Sequence, residues 1–480
     1  MDHRKRMVAR TVAGVAASRH AEVFHLRLAS GREVDATGDQ LLMTLDGPIT
    51  LIGASVGDRI AVPRRVPDPL HPQRMVDAEV ILLAHMIGDG SCVKRQPIRY
   101  ASIDEESLAA VSIAARHFGV TAIRDDYPAA RVTTLRLPAP YRLTHDKRNP
   151  IAAWLDELGL FGLRSYEKFV PAVIFGLSEV KVGLFLRHLW ATDGHVSWDS
   201  RAGGGKLYYA STSRRLIDDV VQLLPRFEVF SRIKRVRKAG YRDGWHLCIY
   251  GAENQLRFLR YIGVHGAKDA AAEALITKLE VVQRNTNLDT IPAAVWTSVR
   301  SVMAENAITQ RQFAAAMNSR FCGSAMWKHA PSRGRLHNVA IVLEDRHLHD
   351  LATSDVFWDE IVEITSLGEQ DVHDISVDGA DNVIAQGIVA HGVAANQALP
   401  RAISAAPLPV ISHSAASCAM SSSSVTSMAP FTQARIASAE PPTMKAGATF
   451  ASGSRSSATS CTLRPCSINT PVRSCITATR

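Results

Sequence analysis

Two apolar stretches of equal length, each ending in Asp-Gly, dominate the hydrophobic pattern of the chain. Residues 81–90 read ILLAHMIGDG and residues 185–194 read FLRHLWATDG. Three- and four-residue spacing predicts two helices; in the first, Leu82, His85 and Asp89 share one side. The glycine after each acid is expected to end its helix in a left-handed conformation. An acid at the negative end of a helix dipole is unfavourable, so two such acids indicate a role outside helix stability.

The segments that follow the two motifs repeat as well. A predicted order of strand, helix and strand holds in residues 99–102, 105–117 and 132–137, and again in residues 208–211, 214–224 and 245–250. The spacing is 104 residues between Asp89 and Asp193, and 109 residues between Ser102 and Ser211. A single Asp-Gly is usually only a turn. Two copies in matching surroundings predict an internally duplicated α+β unit.

Strand patterns lie on both sides of this duplication. Residues 22–28 and 31–37 predict a hairpin, and residues 41–45 and 56–64 continue the β pattern. The β pattern returns after the duplication, in residues 356–362 and 372–377. A mostly β region therefore flanks the duplicated unit.

Residues 266–350 are mostly helical by pattern. Residues 308–317 (ITQRQFAAAM) read like the opening of a helix-turn-helix, with Thr309 as the N-cap. Contact with DNA and an ordinary small helical subdomain are equally open interpretations of this region.

Charge and composition say little about the function of the protein. The net charge is +9, but residues 393–480 hold seven basic residues against one acid, which leaves only +3 for the other 392 residues. This Ser-, Ala-, Thr- and Pro-rich tail has no periodicity and is predicted to be disordered. No apolar run reaches the roughly 18 residues of a membrane helix. The seven cysteines suggest no disulfide framework or zinc site, so we expect a cytoplasmic protein without membrane contact.

The paired motifs, their separation and the surrounding pattern resemble the double-motif LAGLIDADG (DOD-type) homing endonucleases carried by inteins. The resemblance implies a duplicated αββαββα core in which Asp89 and Asp193 meet below a DNA-binding sheet. Lys168, in the sequence YEKFVP, matches the basic residue before a proline in that family. Small residues at the helix contact are kept only in the first motif; the second has His188 and Thr192 there.

The chemistry of such a site explains why it uses two acids. Hydrolysis of a phosphodiester requires an activated water and stabilised charge on oxygen, which divalent cations held by carboxylates supply. Asp89 and Asp193 would be the metal ligands, since one or two carboxylates together with water and substrate phosphate satisfy Mg²⁺. Lys168 would stabilise the transition state or orient the water, unless it is simply a solvated lysine. The resemblance implies double-stranded DNA as substrate, Mg²⁺ as cofactor and a monomer with an internal pseudo-twofold axis.

The flanking β segments resemble the self-splicing Hint domain of inteins, of the kind inserted in replicative DNA helicases. The matched splicing positions are Thr37, Gln40, Asp374, His391 and Gly392. Gln40 stands where the family has a histidine, and glutamine cannot act as an acid near neutral pH. Gly392 stands where the family has the asparagine that cyclises. The first splicing block, with its nucleophile, is missing before Met1, so we expect a truncated domain that no longer splices.

These patterns predict five segments and one leading function. Residues 1–80 and 351–392 are expected to form the two parts of the Hint domain, residues 81–265 the endonuclease with repeats at 81–140 and 181–265, residues 266–350 the helical subdomain and residues 393–480 the tail. The predicted function is site-specific, metal-dependent cleavage of double-stranded DNA. A catalytically inactive DNA-binding remnant and residual intein autoprocessing are the alternatives.

Overall fold

The computed structural model describes residues 1–15, 19–127, 132–283, 285–372, 375–377 and 382–391. The predicted disordered tail and the predicted splicing residues Asp374 and Gly392 lie outside these ranges. Within them, no helix combines the length and the apolar character needed to cross a membrane.

The strands are short with two exceptions, and they run in chain order as follows. They are β1 Val12–Val15, β2 Arg19–Leu28, β3 Glu33–Thr37, β4 Leu41–Thr44, β5 Gly47–Thr50, β6 Arg59–Pro63, β7 Gly90–Ser91, β8 Arg99–Ser102, β9 Ile123–Tyr127, β10 Val132–Arg136, β11 Gly194–Asp199, β12 Gly204–Ser211, β13 Arg232–Val236, β14 Gly244–Cys248, β15 Val356–Val372, β16 Ile375–Val377, β17 Asn382–Ala385 and β18 Ile388–His391.

The α-helices fall mainly in the middle of the chain. They are α1 Asp77–Gly88, α2 Glu105–Ala115, α3 Pro150–Glu157, α4 Ala172–Phe175, α5 Glu179–Ala191, α6 Arg214–Leu223, α7 Ala252–Arg257, α8 Asp269–Glu280, α9 Val295–Glu305, α10 Gln310–Ala316, α11 Arg333–Val342 and α12 Arg346–Ala352.

Side-chain caps fix where the predicted helices begin. The carboxylate of Asp104 accepts a hydrogen bond from the backbone of α2, and the hydroxyl of Ser213 does the same for α6. Thr309 and Gln312 form a reciprocal capping box at the start of α10, which confirms Thr309 as an N-cap.

The middle of the chain contains two antiparallel sheets of four strands with the same order. Their orders are β7-β8-β10-β9 and β11-β12-β14-β13. In each unit a motif helix leads directly into the first strand, and a helix (α2 or α6) follows the second strand. We call α1, α2 and β7–β10 the first unit, and α5, α6 and β11–β14 the second unit. Mixed helices and small antiparallel sheets agree with the α+β class.

Strands from the two ends of the described chain share sheets with each other. One sheet has the order β3-β2-β15-β6 and another the order β17-β18-β4-β5. Residues 363–371, which the pattern had left between two strands, belong to β15, a single strand of 17 residues. The sequence hides this extension because most of it is polar and exposed, and pairing with β2 rather than burial holds it.

Three hydrophobic clusters form the core of the described chain. The largest is built from both units and from α8, and a second packs α9–α12 against β6 and β15. A third lies within the sheets of the flanking strands. Residues 266–350 therefore contribute to two different clusters. Leu275 and Leu279 of α8 belong to the largest cluster, with the two units, whereas Trp296 and Leu336 belong to the second cluster.

Candidate functional site

The two motif helices begin and end earlier than their sequence pattern suggests. Helix α1 ends at Gly88 with Asp89 as its C-cap, and α5 ends at Ala191, two residues before Asp193. The expected left-handed glycines are wrong, because neither Gly90 nor Gly194 has a positive φ. Glycine is needed there for space: a Cβ on Gly90 would lie 2.5 Å from Met86 Cα, and one on Gly194 would lie 2.3 Å from the Trp190 carbonyl oxygen.

The motif helices pack against each other closely at their C-terminal ends. A Cβ on Gly88 would lie 2.1 Å from the hydroxyl oxygen of Thr192. Thr192 therefore fills the space that Gly88 leaves, and the departure from small residues in the second motif does not separate the helices. This contact holds Asp89 and Asp193, which directly follow these two residues, at the same end of the helix pair.

A chain of buried polar rings crosses the helix contact. His85 Nδ1 lies 3.0 Å from the Tyr100 hydroxyl, and His85 Nε2 lies 3.0 Å from His188 Nδ1. The ring of His265 lies 4.3 Å from that of His188. Burial lowers the pKa of His85 well below its usual value and that of His188 to about 3, so both imidazoles are neutral. These histidines pack and hydrogen-bond across the interface.

Asp89 and Asp193 remain solvent-exposed although protein surrounds them. Loss of hydration, followed by repulsion from Asp193, raises the pKa of Asp89 to about 6. Loss of hydration also raises the pKa of Asp193, and the ammonium groups of Lys268 and Lys168 oppose both shifts. Each carboxylate is therefore accessible but has lost part of its hydration, and each is close enough to both lysines to sense their charge.

Each motif helix is capped at its C-terminus by a lysine from elsewhere in the chain. Lys168 Nζ donates to the carbonyl oxygens of Met86 (2.9 Å), Gly88 (3.2 Å) and Gly90 (2.7 Å). Lys268 Nζ donates in the same manner around the end of α5, to Trp190 at 3.2 Å, Ala191 at 2.8 Å and Thr192. Both cations therefore neutralise the negative ends of the helix dipoles beside the acids.

Lys168 is among the residues predicted from the sequence, whereas Lys268, which holds the matching position at α5, is not. The two lysines are exactly 100 residues apart, close to the spacing of the acids. A search about one repeat after Lys168 returns both Lys268 and Lys278, 100 and 110 residues on, so spacing alone does not single out Lys268. Burial lowers the pKa of both lysines, while the nearby carboxylates counteract this shift.

The second sheet carries stacked rings and unpaired cations. The rings of His195, Tyr208 and His246 stack in a row across β11, β12 and β14, with both centroid separations 4.7 Å. Arg232 and Lys234 on β13 are exposed, and neither forms an ion pair with a residue in the described ranges. Such a surface combines positive charge with flat groups, which suits a polyanion.

The predicted splicing residues gather in the flanking sheets as far as the structure describes them. Thr37 ends β3 and is buried, and its carbonyl accepts from the backbone of Gln40 at 3.0 Å. The buried Gln40 donates from Nε2 to the Leu41 carbonyl at 3.2 Å. The backbone of His391 pairs with Leu41 in the register of β18 and β4. Thr37, Gln40 and the His391 backbone therefore lie in one neighbourhood.

Among the described residues, no group of three or more His, Cys, Asp or Glu side chains could hold a metal ion. A cation at the paired acids would need the remaining ligands from water or substrate. The arrangement can therefore offer two carboxylates, two lysines and a basic sheet to an anionic substrate.

Parts of this chain are similar to known proteins. Residues 181–263 match the family model of the LAGLIDADG-like domain. The chain is 36% identical over 380 residues to the replicative DNA helicase DnaB of Synechocystis sp., covering 77% of this chain and 43% of the relative. It is 26% identical over 400 residues to the protein RecA of Mycobacterium tuberculosis, covering 77% of this chain and 49% of the relative. The chain thus spans less than half the length of both. Mesophilic variants of the homing endonuclease I-DmoI are similar over 39% of this chain and 95% of theirs, with 14% identity and a TM-score of 0.28.

Proposed function

We propose that this chain is a site-specific, metal-dependent endonuclease that cuts double-stranded DNA. The observation that carries the proposal is the pairing of α1 and α5, which brings Asp89 and Asp193 to one end of a close helix contact. Matching sheet orders and matching lysine caps support an internal duplication with a pseudo-twofold axis. The two strands of a DNA duplex are antiparallel and are themselves related by twofold symmetry. A monomer with two equivalent acids could therefore use one acid for each strand.

The donor set fits a hard divalent cation such as Mg²⁺. Both acids are exposed oxygen donors, and no ion pair in the described residues occupies either one. One or two carboxylates suffice when water and phosphate oxygens complete the shell. A cation bound there would lower the pKa of water and stabilise charge on the phosphate.

The other groups of the site act through charge and position. Lys168 and Lys268 place two ammonium groups beside the acids, where they would stabilise the charge that develops on the phosphate oxygens. Because three carbonyl groups hold each ammonium, neither lysine has to be ordered when DNA binds. The rings and cations of the second sheet would contact the duplex beside the acids.

We infer that the endonuclease is carried by an intein. Two observations support this context. The strands that precede residue 64 share sheets with those that follow residue 355, so the paired units have the topology of an insertion. The same share of the chain matches under half of two differently named proteins, DnaB and RecA, as a segment that moves between hosts would do.

Splicing by this chain is not part of the proposed activity. Cleavage after residue 392 would need a side-chain amide that attacks its own carbonyl carbon, and glycine has none. Gln40 can donate a hydrogen bond but cannot supply a proton as an acid near pH 7.

A cleavage assay tests the proposal. A plasmid that carries the flanking DNA joined without the insertion should be linearised by the full chain with Mg²⁺, and not by the double variant Asp89→Asn, Asp193→Asn. Asp156→Asn, which alters an exposed acid away from the helix contact, is the control and should cut normally. Binding without cutting by the wild-type chain would identify an inactive DNA-binding remnant. Fragments in the mass spectrum of the purified chain would identify autoprocessing.

A further inference from the structure

A long stretch of the helical region contains basic residues and no acid. Residues 306–343 lack both aspartate and glutamate, and they hold the five basic residues Arg311, Arg320, Lys328, Arg333 and Arg335. Arg333 is mostly buried and forms an ion pair with Asp289 at 2.7 Å. The other four are exposed, and none forms an ion pair with a residue inside the described ranges. Four positive charges therefore stand without counter-charge in one segment.

Aromatic contacts connect Arg311 and Arg335 with rings near the other two basic residues. The Arg311 guanidinium lies 5.9 Å from the Phe321 ring, which is 42% exposed and adjoins Arg320 in sequence. The Arg335 guanidinium lies 5.3 Å from the ring of Trp296. Trp296 in turn contacts the ring of Trp327, the neighbour of Lys328, at 5.2 Å. Phe313 of α10 stacks on Trp327 at 5.8 Å, which links the two groups of contacts.

The segment that carries these charges has a defined, folded structure. The capping box at Thr309 fixes the start of α10, and Asn318 adopts a left-handed φ of 46° where the chain turns after this helix. A short 3-10 helix, Gly323–Trp327, and α11 follow. Met326, Leu336 and Val339 anchor the segment in the cluster that also contains β6 and β15. The positive charges are therefore held in place before any partner binds, which lowers the entropy cost of binding.

We propose that Arg311, Arg320, Lys328 and Arg335 form a second DNA-contacting surface, which binds the phosphate backbone of the duplex outside the two paired units. The inference rests on the proposed function, because the partner is the same duplex that the acids would cut. Unpaired arginines and lysines beside exposed Gln310 and Ser319 suit phosphate oxygens, which accept hydrogen bonds from all four side-chain types. Such contacts fix position along the DNA and add affinity without reading the sequence.

The salt dependence of DNA binding tests the surface. The affinity of the full chain for a fluorescent 40-base-pair duplex is measured by anisotropy between 50 and 200 mM salt without divalent cation. The triple variant Arg311→Gln, Arg320→Gln, Lys328→Gln should lower the slope of log affinity against log salt by about 2.7, at about 0.9 for each lost phosphate contact. The single variant Arg320→Gln should lower the slope by about 0.9. The control, Arg10→Gln, Arg74→Gln, Arg116→Gln, removes the same charge from three other exposed arginines that have no ion pair in the described chain.

Each outcome decides the inference. A larger loss of slope in the triple variant than in the control supports the surface, provided that urea unfolding midpoints are unchanged. Equal slopes in the triple variant and the wild type overturn it, as does a control that loses as much. The inference is also overturned if the triple variant binds the DNA duplex as the wild type does but binds RNA more weakly. If the wild-type chain cuts DNA and the triple variant keeps the wild-type salt slope, the second surface is contradicted but the proposed nuclease activity is not. A wild-type chain that neither binds nor cuts DNA contradicts both proposals.

Discussion

The first and second units share a strand order but differ in the charge of their sheets. In the first unit, the arginines of the edge strand β9 and of its neighbour β10 are matched by acids. Arg136 pairs with Asp125 across β9 and β10, and Arg124 pairs with Glu105 and Asp126. The first sheet is therefore close to electrically neutral along its edge.

The second unit leaves its edge strand positive. Strand β13 reads RIKRV, and only Arg235 of its three basic residues has an acidic partner in the described chain, Asp243. The features that both units keep are the acid, the glycine after it and a lysine cap on the helix. The two units therefore agree in the groups beside the helix contact and differ in the charge of the surface around them. We expect catalysis to depend on both units equally, and we expect the second unit to contribute more to DNA affinity than the first.

Removal of either acid should have the largest effect. If both units contribute equally, Asp89→Asn and Asp193→Asn should each reduce double-strand cleavage by at least about 10³-fold, because each removes an oxygen ligand for the cation. Asparagine preserves the shape of the side chain, so cation-free DNA binding should not weaken. Gel assays that separate nicked from linear plasmid measure this directly. Retained double-strand cutting by one variant would show that the units are not catalytically equivalent.

Loss of the lysine caps should come next. Lys168→Met and Lys268→Met should each slow cleavage by about 10²-fold, because each removes a positive charge from beside the phosphate. Single-turnover rates at saturating enzyme isolate the chemical step. Lys278→Met, which removes an exposed lysine of α8, is the control and should change the rate little. A loss confined to Lys168→Met would contradict the equivalence of the two caps.

The tight helix contact gives a prediction about stability. Gly88→Ala should reduce the free energy of unfolding by about 2–3 kcal/mol, because the new methyl group overlaps Thr192. The double variant Gly88→Ala, Thr192→Gly moves the larger residue to the other helix and should recover much of this loss. Gly334→Ala is the control: its Cβ would meet open space on α11, so stability should stay equal or increase. Urea unfolding of the full chain measures all three variants.

Neutralising the two sheets should affect DNA binding unequally. Arg232→Gln with Lys234→Gln should weaken duplex binding about tenfold near physiological salt, because both side chains are free to meet phosphates. Arg124→Gln with Arg136→Gln should change affinity less than about twofold, since acids already neutralise these arginines. Equal losses of DNA affinity in the two double variants would contradict the larger contribution of the second sheet.

The smallest expected effect is on the pH dependence of stability. The pKa of Asp89 is about 6 in the folded chain, above its ordinary value of 3.8, so the folded state binds more protons between these values. The free energy of unfolding without divalent cation should therefore fall as pH rises from about 4 to about 6. Asp89→Asn should remove about 1 kcal/mol of this dependence, a modest amount because solvent screens the exposed carboxylate. Added Mg²⁺ at pH 8 should stabilise the wild type and not this variant, as thermal melting would show.

Local patterns predicted many elements because their causes are local. Strand β8 lies at residues 99–102 as predicted, and α2 begins at Glu105 because Asp104 caps it. Strands β9 and β11 were not predicted. Strand β9 carries consecutive acids, which interrupt an apolar alternation. Strand β11 does alternate, with Val196 and Trp198 between polar residues, but it follows directly from the second motif, whose helical pattern masks where the strand begins.

The sequence by itself indicated the repeat, the two acids and Lys168, because residue type and spacing are properties of a single chain. It could not determine that Thr192 fits the space beside Gly88, or that Lys268 reaches the three carbonyls at the end of α5. Those relations join residues tens to about a hundred positions apart, and only the packing of the helices brings them within contact. The exposure of Asp89 and Asp193 amid partly dehydrated surroundings is also a property of the surface that the folded units make together.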